Sequence, residues 1–434
     1  MDNIYASYGI SEEIFRLSEQ VMQDLAPTFA QIDQDTERRQ LRVIQAMQEA
    51  NLRESSLQGS TGYGSFDAGR DALEAAYASY FRTEAALVRM QFSSGTHVLA
   101  TCLRGLLRPG QELLIVTSEV YDTLRPCLGL SSQNQGQDLG SLTDFGISHR
   151  QVDLSPEGDF DYAAIRAAIS PRTSLIYVQK SLGYSERPCL LNRQIAHLVK
   201  FIKKDWPHIP IMVDNCYGEM VEDEEPTAYG VDICAGSLIK NLGAGLAESG
   251  GYVCGRQDLL DRVAAAMTAP GIGAEVGPSL GQNTKLIKGF YFAPHVVREA
   301  LKSACHAAGL LAALGFAVFP QAQDPRGDIV QRIALGSPQA LIKFCEQIQF
   351  ASPVDASFAP VPAPMAGYDC DIIMASGSFV QGSSIELSCD GPLRPPYNAY
   401  LQGSLSFTNG RLAVMKAAQS LAEEGQLVRE AQTR

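Results

Sequence analysis

The chain has 434 residues, 45% of them apolar and 19% charged, which is the composition of an ordinary soluble globular protein long enough for two or more domains. Lys and Arg against Asp and Glu give 35 − 48 = −13, with no basic cluster longer than pairs such as Arg38-Arg39 and Lys203-Lys204, and this argues against nucleic acid and against anionic membrane surfaces. No apolar run approaches the roughly 18 residues of a bilayer span, the amino terminus lacks a basic-then-apolar leader pattern, and the ten cysteines form no Cys-x-x-Cys pair, so the expectation is a cytoplasmic protein with reduced thiols and no metal site.

Ser11 is placed to cap a helix over 12–25, and a second helix runs over 36–52 with Leu41, Ile44 and Met47 at helical spacing. A glycine-rich link, 59–65, leads to a helix over 70–81. From there strands and helices alternate: strand 85–90, helix 96–107, strands 113–116 and 147–154, helix 160–169, strand 174–179, helix 191–204, strand 211–214 and a short apolar stretch 231–237. The polar run 131–140 reads as a loop. This βαβ rhythm implies a mostly parallel sheet that receives ligands at the carboxyl ends of its strands. A long helical pattern over 296–314, a turn-rich stretch 351–367, strand candidates 372–375 and 384–388 and an amphipathic helix over 411–422 form a smaller mixed region. The expected divisions are a helical segment 1–58, a large domain 59–295 and a small carboxyl-terminal domain 296–434.

The most informative residues are Asp214, which ends the apolar strand Ile211-Met212-Val213, and Lys240, which follows the apolar stretch ending at Ser237. A carboxylate and an amine at the ends of neighbouring strands match what pyridoxal phosphate needs. Asp214 keeps the pyridine nitrogen protonated, and Lys240 holds the aldehyde as a Schiff base. Ser94-Gly95-Thr96-His97 lies between a strand and a helix, where small residues let backbone N–H groups approach an anion. Ser237 is placed to add a hydroxyl to that anion, and Tyr121, after the strand 113–116, to stack on the pyridine ring; His97 is the alternative stacking group. Other nucleotide and nucleophile patterns fail. There is no GxxxxGK[ST] and no GxSxG, and the glycines of 271–277 follow a helix rather than a strand, so that run reads as a mobile loop near the site. His295 and His306 read as structural, and the acidic stretch Glu219, Glu222, Asp223, Glu224, Glu225 as a solvated loop or site rim.

Taken together, Ser94-Gly95-Thr96-His97, Tyr121-Asp122-Thr123-Leu124, Val213-Asp214-Asn215-Cys216-Tyr217-Gly218-Glu219 and Leu238-Ile239-Lys240-Asn241 resemble fold-type I pyridoxal-phosphate enzymes. More narrowly, the chain resembles the bacterial aluminium resistance protein or methionine γ-lyase-like family, related to cystathionine β- and γ-lyases. The stretches Thr268-Ala269-Pro270-Gly271, Phe292-Ala293-Pro294-His295 and Phe379-Val380-Gln381-Gly382 fit it as well, so the likeness covers nearly the whole chain. One departure is visible: the family reads Thr-Gly-Tyr-Gly-Tyr-Asp-Asp where this chain has Thr61-Gly62-Tyr63-Gly64-Ser65-Phe66-Asp67.

The resemblance implies an aminotransferase-like α/β fold, with a large, mostly parallel seven-stranded sheet and a smaller α+β carboxyl-terminal domain. It implies pyridoxal 5′-phosphate held by Ser94, Gly95, Thr96, His97, Tyr121, Asp214, Tyr217, Ser237 and Lys240, with Tyr63 reaching in from the partner subunit of a homodimer or homotetramer. It further implies a carbon–sulfur lyase acting on a sulfur amino acid, with Lys240, Tyr121 and Asp214 catalytic and Arg394 gripping the substrate carboxylate. Two alternatives stay open on the residues alone: another pyridoxal-phosphate reaction (aldolase, racemase or aminotransferase) on a small amino acid, or a catalytically silent protein with a regulatory or metal-tolerance role.

Overall fold

The computed structural model describes residues 4–130 and 139–432, so the predicted loop 131–140 lies almost entirely outside the described residues. The chain divides into two compact units, Met1–Glu37 with Pro294–Arg434, and Arg38–Ala293. Helix α1 spans Glu12–Asp24 and α2 Ala26–Glu49. Ser11 caps α1 as expected, its Oγ accepting from the Ile14 N–H at 3.3 Å. Helix α2 begins at Ala26 rather than Thr36. Pro27 falls in its first turn, where a missing N–H costs nothing.

In the unit Arg38–Ala293, α3 (Ala68–Phe81) precedes β1 (Ala85–Arg89), α4 (Gly95–Leu106), β2 (Glu112–Ile115), α5 (Arg125–Leu128), β3 (Ser148–Gln151), α6 (Tyr162–Ala168), β4 (Thr173–Gln179), α7 (Asn192–Asp205), β5 (Ile211–Asp214), β6 (Ile233–Ser237), β7 (Gly251–Gly255), α8 (Gln257–Met267) and the start of α9 (Asn283–Ala313). The strands form a seven-stranded sheet in the order β1-β7-β6-β5-β4-β2-β3. Strands β3, β2, β4, β5 and β6 are parallel, whereas β7 runs antiparallel to both β6 and β1. The sheet is therefore mixed. Unbroken apolar runs such as Leu113-Leu114-Ile115 and Ile211-Met212-Val213 are buried on both sides, as parallel strands covered by helices require. On one face Val98 and Leu103 of α4 and Leu260 and Val263 of α8 pack on Leu113, Ile115, Met212 and Ile233. On the other, Tyr77 of α3 stacks on Phe290 of α9 with ring centroids 4.4 Å apart.

The glycine-rich link is fastened to the loop that precedes α9. Leu280 donates its N–H to the Ser60 carbonyl at 3.0 Å, and Gly277 to that of Tyr63 at 2.9 Å. A Cβ on Gly64 would lie 2.5 Å from the Pro278 Cα, so the two backbones can meet this closely only at a glycine. Asp67 is the hub. Its Oδ1 accepts from the Arg70 N–H at 3.0 Å and Asn283 Nδ2 at 2.8 Å, and its Oδ2 accepts from the Ser60 and Ser279 hydroxyls, each at 2.5 Å. Burial works against this carboxylate, but those donors outweigh it and hold Asp67 well below the ordinary carboxylate range.

In the other unit, β8 (Ala317–Phe319), β9 (Gln331–Ala334), β10 (Ile372–Ala375), β11 (Ser388–Pro392) and β12 (Asn398–Gln402) make an antiparallel sheet in the order β10-β11-β12-β9-β8. Helices α10 (Pro338–Phe350) and α11 (Phe407–Gln432) cover it, with Leu341, Phe344, Val414 and Ala418 packed on Ile333, Ile373 and Leu401. Ile10 and Ile14 join the same core from the amino-terminal segment. The strand expected at 384–388 is displaced, since β11 starts at Ser388. Glu386 instead accepts the N–H groups of Phe379 and Val380 at 2.7 and 2.9 Å and closes a loop. Helix α9 begins at Asn283 and runs through Pro294, where the sequence reading started it at 296.

Because the folded pKa of Asp67 is depressed, its stabilisation is full above the unfolded value of about 3.9 and fades as pH falls toward the folded one. Asp67→Asn should therefore cost about 1–3 kcal/mol at pH 7 by leaving buried hydroxyl and amide donors poorly matched. Urea unfolding should show the gap to wild type narrowing as pH drops below about 5.

Candidate active site

The parallel register aligns the carboxyl ends of three strands, with Gln179 of β4 opposite Asp214 of β5, and Asp214 opposite Ala235 of β6. Asp214 is 5% exposed. Its Oδ2 accepts from the Tyr177 hydroxyl at 3.2 Å and its Oδ1 from the Cys216 N–H at 3.1 Å. Burial, then Asp214 itself, pushes the Tyr177 phenol well above its usual pKa, so it stays a donor. The Cys216 thiol is likewise pushed up by burial and then by Asp214, and stays protonated. Tyr177 and Cys216 thus hold the carboxylate in place. The sequence reading passed over Tyr177, since a tyrosine inside an apolar strand looks like core.

Lys240 lies in the turn that follows β6. Its Nζ is 3.9 Å from the centroid of the Tyr217 ring, a cation–π contact. Burial disfavours the ammonium, but the neighbouring Asp214 carboxylate favours it, and the pKa of Lys240 is raised on balance. The turn is tied to the segment after β5 by Asn241, whose Nδ2 donates to the carbonyls of Tyr217 at 3.0 Å and Glu219 at 2.9 Å.

Helix α4 points its amino terminus at the end of β6. Ser94 caps it, its Oγ accepting from the His97 N–H at 3.1 Å, while the first-turn N–H groups of Gly95 and Thr96 have no acceptor within the helix. A Cβ on Gly95 would sit 3.3 Å from the Ser237 Cβ and 3.8 Å from the Cys216 Sγ, so helix, strand and turn converge here. Ser237 is 1% exposed and its Oγ has no hydrogen-bond partner. An orphaned buried hydroxyl beside unpaired helix N–H groups is a donor set that suits a phosphate. Thr96 shares a hydrogen bond with Thr123 at 2.6 Å, and His97 Nδ1 accepts from the Ser93 N–H at 3.1 Å. His97 meets Phe92 edge-on, with ring centroids 6.0 Å apart.

The Tyr121 N–H donates to Gln179 Oε1 at 2.7 Å, and its ring meets that of Tyr184 at 5.5 Å. Ser94, Gly95, Thr96, His97, Tyr121, Asp214, Tyr217, Ser237 and Lys240 therefore all belong to the unit Arg38–Ala293 and gather at the carboxyl edge of its sheet. Tyr63 belongs to the same unit but is 82% exposed. Arg394 belongs to the other unit, where it pairs with Asp369 at 3.0 Å. The acidic stretch is the clear correction. Glu219 and Glu225 are buried rather than solvated, Glu219 bonded to Tyr252 and Glu225 to Asn215 and the Met220 N–H. Glu222 pairs with the buried Lys180 at 3.0 Å.

The structure therefore sets an aspartate at the end of β5 and a lysine after the adjacent parallel strand β6, beside a capped helix amino terminus. Residues 14–422 match the methionine γ-lyase family, and the chain belongs to it. Among its relatives, the uncharacterized YnbB of Bacillus subtilis is 45% identical over 405 residues, 93% of this chain and 96% of that one. The crystal structure of a carbon–sulfur lyase involved in aluminium resistance from Clostridium novyi is similar with a TM-score of 0.90 and 40% identity, over 95% of this chain and 96% of that chain. L-methionine γ-lyase of Pseudomonas putida is 29% identical over 206 residues, 48% of this chain and 45% of its own length. Members of the family depend on pyridoxal 5′-phosphate.

Since the Ser237 hydroxyl makes no bond within the protein, Ser237→Ala should leave the melting temperature of the cofactor-free chain unchanged or slightly raised, with a gain of up to about 1 kcal/mol. A clear loss of stability would show that the hydroxyl already has a partner.

Proposed function

We propose that this chain is a carbon–sulfur lyase that holds pyridoxal phosphate on Lys240 and removes a thiol from Cβ or Cγ of a sulfur amino acid, one water then hydrolysing the remainder to a keto acid and ammonia. The observation that carries this reading is the pair of Asp214 and Lys240 at the ends of adjacent parallel strands, with a phosphate-suited helix terminus beside them. When bound, the cofactor supplies an electron sink for charge developing at the substrate Cα.

The residues divide the remaining work. Asp214, fixed by Tyr177 and the Cys216 N–H, presents a carboxylate that a ring N–H can meet. Ser94, Gly95, Thr96 and Ser237 offer hydroxyls and helix N–H groups to a phosphate, with Ser237 bringing an unused donor. Once free, the Lys240 amine takes the Cα proton. Tyr121, Tyr217 and His97 supply aromatic surface against the ring, and Tyr121 serves proton movement to the departing sulfur. Arg394 binds the substrate carboxylate as a two-pronged donor. In a homodimer or homotetramer, the exposed Tyr63 of one subunit completes the site of the next, on a loop that Asp67 holds rigid. The reduced, scattered cysteines fit a cytoplasmic setting. Among the described residues no helix is long and apolar enough to cross a membrane.

A panel of amino acids, followed by keto-acid and thiol detection on purified protein, tests the reaction. Cystathionine, cysteine or methionine-like substrates should yield both products together. Lys240→Ala should lose nearly all turnover while keeping its fold, and Asp214→Asn should lose on the order of 10²–10³-fold in kcat. Transamination of aspartate or glutamate outpacing every elimination would sink the lyase reading.

A further inference from the structure

The turn after β5 is strained at residues that are not glycine. Tyr217 and Met220 both have left-handed backbone, with φ of 70° and 58°, conformations that persist only where the surroundings over-determine them. The surroundings here are two buried carboxyl groups and an amide. Glu225 accepts from Asn215 Nδ2 and from the Met220 N–H, each at 2.8 Å. Glu219 accepts from the Tyr252 hydroxyl of β7 at 3.0 Å, and β6 leaves room for it: a Cβ on Gly236 would lie 2.6 Å from Glu219 Oε1 and 2.8 Å from the Tyr252 hydroxyl. Asn241, next to Lys240 in sequence, then joins the carbonyls of Tyr217 and Glu219 to the lysine turn.

We propose that Glu219, acting through Asn241, is a positioning residue for Lys240: its carboxyl, anchored on Tyr252 in the slot over Gly236, locks the strained turn so that the Tyr217 ring and the Lys240 amine are held against each other. The inference rests on the reading of Lys240 as the cofactor lysine. Glu219 touches no reacting atom; it sets the place of the residues that do.

The group is also built to act in its neutral form. Glu219 is fully buried and its Oε2 has no partner, and burial pushes its carboxyl up to about 8. The titratable groups that face it are Tyr77 of α3, Tyr252 of β7, Cys234 of β6, Cys216 and Glu225 of its own segment, and Lys240. A lock made of hydrogen bonds rather than charge can be mimicked by an amide, and this separates positioning from simple electrostatics.

The experiment compares holoenzyme of wild type, Glu219→Ala, Glu219→Gln and Asn241→Ala, reading the pH titration of the Lys240-linked chromophore together with kcat and KM. Glu219→Ala and Asn241→Ala should each shift the titration midpoint by about one pH unit and lower kcat on the order of 10²-fold with little change in KM. Glu219→Gln should recover most of both effects below pH 8. Should Glu219→Ala fail to fold, Asn241→Ala decides, because it leaves the buried carboxyl and its Tyr252 bond in place. Wild-type midpoint and kcat in the folded Ala variants would overturn the proposal, and so would a Gln variant as impaired as the Ala one. A wild type with no chromophore on Lys240 would instead remove the cofactor reading, and this inference with it.

Discussion

A carboxylate kept almost wholly out of water at the end of a parallel strand must be held by donors or be expelled. Asp214 is held by two, the Tyr177 hydroxyl from the neighbouring strand and the Cys216 N–H from its own turn. The first depends on the register of β4 against β5, which sets Gln179 beside Asp214 and brings Tyr177 to the correct height. A slip of one residue would turn every side chain of β5 to the other face and take the carboxylate away from the Tyr177 hydroxyl. The layered core on both sides of the sheet resists that slip, and so protects the chemistry at its edge.

The rest of the site follows from how closely the elements can approach that edge. Gly95 lets α4 come within van der Waals contact of Ser237, and the absent side chain at Gly236 lets Glu219 reach Tyr252. Lys240 sits between these two close approaches, one on each face of the sheet. The helix side offers N–H groups and a spare hydroxyl suited to an anion, and the opposite side offers hydrogen bonds that fix the turn. Membership in the methionine γ-lyase family gives this arrangement its chemical setting.

Much of this was legible in local sequence. Apolar runs that end in a polar residue mark β4 and β5, and Asp214 stands out because it breaks such a run. Ser94-Gly95-Thr96 reads as a cap because small residues with hydroxyls have few other uses between a strand and a helix. What escaped was non-local. Glu219 and Glu225 lie in a stretch of five acids and look solvated; their burial depends on Tyr252 and on Asn215 folding back, and no window of neighbouring residues carries that information. Strand β7 went unnoticed because glycine at both its ends hides its strand character. Those glycines are there for packing, since a Cβ on Gly251 would lie 2.9 Å from Val98. Helix α9 was begun at 296 instead of 283, although the Pro294 inside it weakens a helix only locally and does not end one held along its length by buried contacts.

The central claim is that one lysine, Lys240, carries the cofactor at the edge built around Asp214. Borohydride reduction of the purified protein followed by peptide mapping addresses it most directly. The account predicts a single reduced pyridoxyl adduct on the peptide that contains Lys240. An adduct on Lys180, Lys285 or Lys288 instead, or none at all, would contradict it.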